Sequence, residues 1–276
     1  MDLQTFRSRQ KHTRFDGLSY TPLTVAYVDE GEGEPLVLLH GIPTWSYLFH
    51  AAIPELAGGV RVIAPDLLGY GYSDKRDCFD RSVKVQARMV IALLDELEIE
   101  RATILGHDIG GAVAQVLAVE HGDRVRRLIL NNSVGYDRWP VGGPIELGDP
   151  FFGDKSVDEV LRFNIEGSFP DYPAEFSSAV LAPYSDEEGK ISLVRDASGL
   201  STNHTMELVP LLSRIDVPVL LLWGEEDQWC KLAIAERFQS DIRQARLVTI
   251  KDAGHWVPYD QPKPYADAIL EFIRST

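Results

Sequence analysis

The chain has 276 residues, of which 45% are hydrophobic and 25% charged, a composition ordinary for a globular protein with one large core. Its formal net charge of −15 argues against binding to nucleic acid or to an anionic membrane, since both need basic surfaces. The same charge disfavours a strongly anionic substrate, unless a local group of Arg or Lys side chains overrides the overall field.

The N-terminal stretch, residues 1–14, is polar and has no apolar segment of the kind found in signal peptides. No run in the chain reaches the roughly 18 apolar residues that a membrane-spanning helix requires. We therefore expect a soluble, cytoplasmic protein that does not bind membranes.

Short apolar runs alternate with stretches of helical periodicity along most of the chain. The runs have the continuous apolar character of strands that are buried on both faces of a sheet. They lie at residues 36–39, 60–64, 102–105, 125–131, 217–223 and 246–250. The helical stretches lie at residues 83–97, with Ser82 as the N-cap, at 109–121 and at 265–273. This alternation predicts an α/β fold with a mostly parallel sheet covered by helices on both faces.

The alternation stops between residues 135 and 210. Pro and Gly separate short helical pieces there, and no buried strand is visible. A segment of this length is too long for a structureless loop inside a compact domain. We therefore expect a helical cap at residues 135–210, inserted into a core made of residues 1–134 and 211–276.

A sharp turn from strand to helix is predicted at residues 106–111. The sequence there is Gly106-His107-Asp108-Ile109-Gly110-Gly111. An apolar run precedes the turn and a helical stretch follows it, which is the context of a nucleophile elbow with Asp108 in the nucleophile position. A dinucleotide-binding loop is not indicated, because the glycine spacing differs.

Five segments, taken in this order, resemble the motifs of the α/β-hydrolase superfamily, in its Asp-nucleophile branch of haloalkane dehalogenases and epoxide hydrolases. They are residues 40–45, 66–74, 106–111, 223–227 and 254–255. The resemblance implies the α/β-hydrolase fold, with a mostly parallel eight-stranded sheet and an inserted helical cap. It also implies that Asp108 is the nucleophile, Asp227 the acid and His255 the base, with the backbone N–H groups of Ile42 and Ile109 forming the oxyanion hole.

These residue types suit a two-step hydrolysis. A carboxylate is ionised at neutral pH, so Asp108 can attack an sp³ carbon directly and form an alkyl-enzyme ester. His255, oriented by Asp227, would then deprotonate the water that hydrolyses the ester. Some relatives carry the acid after an earlier strand, but here Asn131 and Asn132 occupy that position.

The sequence leaves two main leaving groups open, a halide and an epoxide oxygen. Haloalkane dehalogenases usually bind the halide with a Trp after the nucleophile and an Asn or Glu in the oxyanion loop, where this chain has Ile109 and Ile42. Epoxide hydrolases protonate the opening oxygen with cap tyrosines, for which Tyr136, Tyr172 and Tyr184 are the candidates. An epoxide hydrolase giving a vicinal diol is therefore the first expectation.

A haloalkane dehalogenase is the alternative, with Trp45, Trp139 or Trp229 supplying the halide donor. An esterase or lactonase and a non-catalytic ligand-binding protein of the same fold are further alternatives. Trp45 and Trp139 join the three tyrosines as candidate substrate-binding residues. The expected substrates are a small apolar organic molecule and water, and no oligomeric state is predicted.

No cofactor and no metal are expected. The two cysteines, Cys78 and Cys230, give neither a disulfide framework nor a metal-ligand spacing. The seven histidines also lack the paired spacing of a metal site.

Overall fold

An eight-stranded sheet runs through the molecule in a computed structural model that describes residues 1–276. The strands are β1 (Lys11–Phe15), β2 (Leu23–Glu30), β3 (Pro35–Leu39), β4 (Arg61–Pro65), β5 (Ala102–Asp108), β6 (Val125–Ser133), β7 (Val219–Gly224) and β8 (Ala245–Ile250). Their order in the sheet is β1-β2-β4-β3-β5-β6-β7-β8. Strand β2 is antiparallel to both β1 and β4, and all other neighbours are parallel. The predicted fold class is thereby confirmed.

Twelve α-helices accompany the sheet. They are α1 (Leu3–Arg9), α2 (Ile53–Leu56), α3 (Val83–Glu96), α4 (Ile109–Glu120), α5 (Gly143–Leu147), α6 (Val157–Ser168), α7 (Ala174–Leu181), α8 (Glu187–Ser198), α9 (Asn203–Met206), α10 (Leu232–Asp241), α11 (Val257–Asp260) and α12 (Pro262–Ser275). Helix α3 begins at the predicted N-cap, because the Ser82 hydroxyl accepts the N–H of Val85. None of the twelve combines the length and apolar character that crossing a bilayer requires.

The six apolar runs seen in the sequence correspond to β3–β8, and their positions place the site. Strands β3, β5, β6 and β7 are adjacent and parallel, so their carboxyl ends meet at one edge of the sheet. Their residues are almost entirely buried. Side chains that follow these strand ends therefore converge in one place.

The stretch between the end of β6 at Ser133 and the start of β7 at Val219 contains helices and turns but no strand. The expected cap limits, 135 and 210, fall inside this stretch. Helix α8 holds it to the core through a buried ion pair, in which Arg81 donates to the Asp196 carboxylate and to Ser192. Burial raises the pKa of Asp196 to about 7, although the Arg81 charge opposes this rise.

Candidate active site

The turn between β5 and α4 brings Asp108 to the edge of the sheet. Asp108 has φ 53° and ψ −121°, a backbone conformation that non-glycine residues rarely adopt. Two glycines make room for it. A Cβ on Gly106 would lie 2.2 Å from the carbonyl oxygen of Gly110, and a Cβ on Gly110 would lie 2.4 Å from that of Leu39. The helix therefore starts directly against the strands, and the Asp108 side chain points away from them.

Backbone amides hold the Asp108 carboxylate. The N–H of Ile42 donates to Oδ1 at 2.9 Å, and the N–H of Ile109 lies close enough to help lower the pKa of this carboxyl group. Burial raises the pKa of Asp108, and the nearby His255 charge and the two amides only partly offset this effect. The Ile42 amide thus lies on the oxygen where charge would collect if water attacked the carboxyl carbon of Asp108, and the same role for the Ile109 amide stays a prediction.

His255 lies between the two carboxylates. Its Nδ1 is 2.8 Å from Asp227 Oδ2, and its Nε2 is 3.9 Å from Asp108 Oδ2. Burial lowers the pKa of His255, but the Asp227 charge and hydrogen bond outweigh it, so the pKa is raised overall. The Nδ1 hydrogen bond fixes the ring so that Nε2 faces the Asp108 carboxyl group.

The carboxylate of Asp227 is saturated with donors. Its Oδ1 accepts the N–H groups of Trp229 and Cys230 at 2.8 and 3.0 Å, and its Oδ2 accepts Asn132 Nδ2 at 2.5 Å as well as bonding to His255. Burial would raise the pKa of Asp227, but His255, Asn132 and the amide of Trp229 bring it down to about 2. Asp227 therefore stays ionised over the whole physiological range.

Asn132 was not expected to contribute to the site. It is the penultimate residue of β6 and has a positive φ of 40°, and its Oδ1 also accepts the N–H of Gly224 at 3.0 Å. It thereby ties the end of β6 to the end of β7 and to the Asp227 carboxylate. The available sequence signal is a pair of amides, Asn131 and Asn132, directly after the apolar residues 128–130.

Asp227, Cys230 and His255 also have potential metal-ligand atoms that all lie within 4.8 Å of one another. Asp227 accepts four hydrogen bonds, and Nδ1 of His255 takes part in one of them. These contacts orient His255 for the pair with Asp227.

A mainly apolar cavity of about 60 Å³ opens beside Asp108 and His255. Further lining residues include Ile42, Ile109, Val134, Arg138, Trp139, Ser168, Leu200, Trp229, Cys230 and Trp256. The cavity is small for a ligand site, and its walls are mostly apolar or aromatic. A small, largely apolar molecule fits this space.

Of the five candidate substrate-binding residues, only Trp139 lines this cavity. The other four direct their polar atoms elsewhere, which differs from the expectation. Tyr136 donates to Asp241, Tyr172 to Asp260, Tyr184 to the carbonyl of Thr44, and Trp45 to the carbonyl of Val180. The physical reason is packing, because each of these side chains has a partner that satisfies its polar group away from the cavity.

The three cavity tryptophans differ in their indole N–H groups. Trp139 donates to Thr205 Oγ1 at 2.6 Å, and Trp256 donates to the carbonyl of Ser168 at 3.3 Å. Trp229 stands edge-on to His255, with ring centroids 5.0 Å apart, and its indole N–H donates to no protein acceptor. Trp229 is thus the cavity tryptophan with a free N–H.

Comparisons with known proteins agree with this architecture. The sequence matches the α/β hydrolase fold family over residues 34–199 and 190–262, and the chain belongs to that family. It superimposes on the crystal structure of an α/β hydrolase fold protein from Burkholderia ambifaria with a TM-score of 0.85 and 28% identity, covering 94% of this chain and 97% of the other.

Among characterised relatives, the chain is 31% identical over 262 residues to haloalkane dehalogenase 2 of Mycobacterium tuberculosis, covering 90% of each protein. It is 28% identical over 266 residues to 2-hydroxymuconate semialdehyde hydrolase of a Pseudomonas species, covering 89% of this chain and 88% of that relative. The protein is an α/β hydrolase with haloalkane dehalogenase-like relatives.

Proposed function

We propose that the protein is a dehalogenating hydrolase, which cleaves the carbon–halogen bond of a small, mainly apolar substrate through an ester with Asp108. One observation carries the proposal. The Asp108 carboxylate, held by the N–H of Ile42 and facing His255, borders an apolar cavity that no cap tyrosine lines.

In the first step, a carboxylate oxygen of Asp108 attacks the carbon that bears the halogen. The new C–O bond forms as the carbon–halogen bond breaks, and the halide leaves with the bonding electrons and without a proton. The free indole N–H of Trp229 is the cavity donor that would stabilise the departing charge. Apolar walls keep water away and strengthen that interaction.

In the second step, His255 removes a proton from water, and the resulting hydroxide attacks the carboxyl carbon of Asp108. The amides of Ile42 and Ile109 stabilise the oxyanion. Asp227, ionised at every relevant pH, stabilises the imidazolium. Collapse of the intermediate releases the alcohol and restores the Asp108 carboxylate.

A halide fits better than an epoxide because the two leaving groups have different needs. An epoxide oxygen needs a proton donor as the ring opens, and the sequence-based preference for an epoxide depended on Tyr136, Tyr172 and Tyr184. Their hydroxyls bond to other groups away from the cavity. The similarity to a haloalkane dehalogenase over 90% of the chain also supports a halide.

The other two alternatives fit less well. Attack of a carboxylate on an ester carbonyl would give an acid anhydride, so Asp108 is a poor nucleophile for an esterase. A protein that only binds a ligand has no need for a hydrogen-bonded Asp227–His255 pair aimed at a second carboxylate.

The test measures bromide release from 1-bromobutane and diol formation from styrene oxide with the same preparation. We expect bromide release. In His255→Gln the first step should proceed and the second should stop, so intact-protein mass spectrometry should show a butyl adduct on Asp108. Diol without bromide would contradict the assignment of the leaving group, and turnover by Asp108→Ala would overturn the assignment of the nucleophile.

The role of Trp229 has its own test. Trp229→Phe keeps an aromatic ring and removes the N–H, and hydrogen bonds to charged groups are worth enough to slow bromide release about 10- to 100-fold. Trp139→Phe is the matched control, because the indole N–H of Trp139 already donates to the hydroxyl of Thr205. Equal effects of the two changes would remove Trp229 from the proposal.

A further inference from the structure

A second, wider cavity adjoins the one beside Asp108. We call it the vestibule; its volume is about 520 Å³, and it shares Arg138, Val141 and Trp229 with the inner cavity. Its other lining residues are Tyr136, Gly142, Gln228, Lys231, Ala233, Ile234 and Arg237. The shared residues place the vestibule directly beside the inner cavity.

The lining of the vestibule is positively charged, although the protein as a whole is negatively charged. The chain carries 42 acidic and 27 basic residues, yet the lining holds three cations, Arg138, Lys231 and Arg237, and no carboxylate. Two carboxylates lie close by, with Asp137 at 3.7 Å from Arg138 and Asp241 at 3.9 Å from Arg237. Neither distance is a tight pair, and Lys231 has no carboxylate partner, so the local charge is positive.

Two further features favour an anion in the vestibule. Helix α10 begins there with Lys231 at its N-cap, no side-chain cap and no acidic residue in its first turn. The N–H of Ile234 donates to the carbonyl of Lys231, which leaves the N–H groups of Leu232 and Ala233 for an anion. The Arg237 guanidinium lies 3.7 Å above the ring of Tyr136, which fixes its position. Tyr136 therefore helps to shape the vestibule rather than the inner cavity.

We propose that the vestibule binds the carboxylate of the substrate, while an apolar chain extends into the inner cavity and brings the halogenated carbon to Asp108. The substrate class is then an aliphatic carboxylate halogenated far from its carboxyl group. This inference rests on the proposed dehalogenation and specifies its substrate. A carboxylate next to the reacting carbon is disfavoured, because the residues beside Asp108 in the sequence and in its amide contact, Ile109 and Ile42, offer no cationic side chain.

Arg138 is the central residue of this subsite. It lines both cavities, and its side chain is 71% exposed with only the distant Asp137 contact, so its five donors are available. A carboxylate bound there can be bidentate. The net charge of the molecule is −15 and disfavours anions in general, so the three cations of the vestibule must override it locally.

The kinetic test compares bromide release from 6-bromohexanoate and from its neutral counterpart 1-bromohexane. We expect a higher kcat/KM for the carboxylate, falling about 10- to 100-fold in Arg138→Met, the loss expected for a charged hydrogen bond. Lys231→Met should also lower the ratio of the kcat/KM for 6-bromohexanoate to the kcat/KM for 1-bromohexane. Lys263→Met removes a surface lysine that pairs with Asp267 on α12, and should leave the ratio unchanged.

A binding measurement separates this inference from the proposed reaction. Trp229 lines both cavities, so its fluorescence should report the binding of hexanoate, and Arg138→Met should weaken that binding relative to 1-hexanol. Hexanoate binding without bromide release would overturn the dehalogenation and keep the subsite. Bromide release with no preference for the carboxylate, or with a preference untouched by Arg138→Met and Lys231→Met, would overturn the subsite alone.

Discussion

The core side and the cap side of the cavity are built in different ways. On the core side, Asp108, His255 and Asp227 bond to one another or to backbone amides at the ends of adjacent strands. On the cap side, the hydroxyls of Tyr172 and Tyr184 donate to groups outside the cavity. Arg138 lines the cavity and has only a distant carboxylate contact.

This contrast separates chemistry from selectivity. The core side fixes the direction of His255 and the charge of Asp227 whatever occupies the cavity. The cap side and the vestibule next to α10 determine which molecules reach Asp108. Changes on the core side should therefore alter the rate with every substrate, and changes on the cap side should alter the ranking of substrates.

The largest effect is expected at Asp108. Asp108→Asn keeps the shape and removes the charge, and should lower turnover by about 10⁶-fold, the scale seen when a nucleophile is removed. Because burial raises the pKa of Asp108, the folded state disfavours this charge at neutral pH. The variant should therefore unfold at no lower urea concentration than the parent protein, and a less stable variant would show that the carboxylate has a structural role instead.

A change at Asp227 should come next. Asp227→Asn should slow ester hydrolysis by about 10⁴-fold, since the imidazole loses its orienting carboxylate. Asn132 contacts the same oxygen that bonds to His255, so adding Asn132→Asp should restore part of the rate. The measurement is single-turnover decay of the alkyl-enzyme, with Asn132→Asp alone as the control. No recovery in the double variant would mean that Asn132 cannot reach His255.

The link between core and cap offers a third test, on stability. Arg81→Met leaves Asp196 buried without its partner, which should cost about 3–5 kcal/mol of unfolding free energy. The cost should grow as pH rises, because the pKa of Asp196 already lies near 7 and the unpaired carboxyl resists ionisation. Urea titrations at two pH values check this. Arg81→Met with Asp196→Asn should recover much of the loss, and an unchanged loss would point to packing instead.

The pH dependence should separate the two chemical steps. The pKa of His255 is raised above 6.5, and protonated His255 cannot accept a proton from water. Hydrolysis should therefore slow about tenfold per pH unit below that pKa, while alkylation of Asp108 does not need His255 as a base. Rapid-quench mass spectrometry should show the adduct accumulating as pH falls. Adduct levels that do not change with pH would exclude His255 as the base.

The smallest effects are expected on the cap side. Tyr172→Phe and Tyr184→Phe should change kcat less than about threefold, which is below 1 kcal/mol of barrier, because their hydroxyls bond to Asp260 and to the carbonyl of Thr44. A loss of about 100-fold in either variant would restore that tyrosine as a proton donor. Bromide and diol assays on the same variants check both outcomes.

The core could be predicted because its signals are local. A fully apolar run predicts a buried strand, and the residues that follow parallel strands meet at one edge, which is where Asp108 and Asp227 lie. Strands β1 and β2 both escaped prediction. Strand β1 has no apolar run, because four of its five residues are exposed or half-buried and only Phe15 is buried. An edge strand takes its partners from the sheet rather than from its own sequence.

The cap could not be predicted to the same depth. Its helical character follows from composition, but the direction of a side chain such as Tyr136 depends on tertiary packing. That ring lies 4.9 Å from Phe238 and under Arg237, both on α10 of the core. Arg138, two residues after Tyr136, belongs to no recognisable sequence motif. Its proposed role in binding is visible only in the structure, where it lines both the inner cavity and the vestibule.

The cap leaves the sheet after β6 and returns at β7, and these two strands are neighbours in the sheet. The two ends of the insertion therefore lie close together in space. The path of the rest of the chain can stay the same if the insertion changes in length or sequence. Recombination can replace it as one unit while the loops that carry Asp108, Asp227 and His255 stay intact. Libraries of chimeric caps are thus a direct route to variants with altered selectivity.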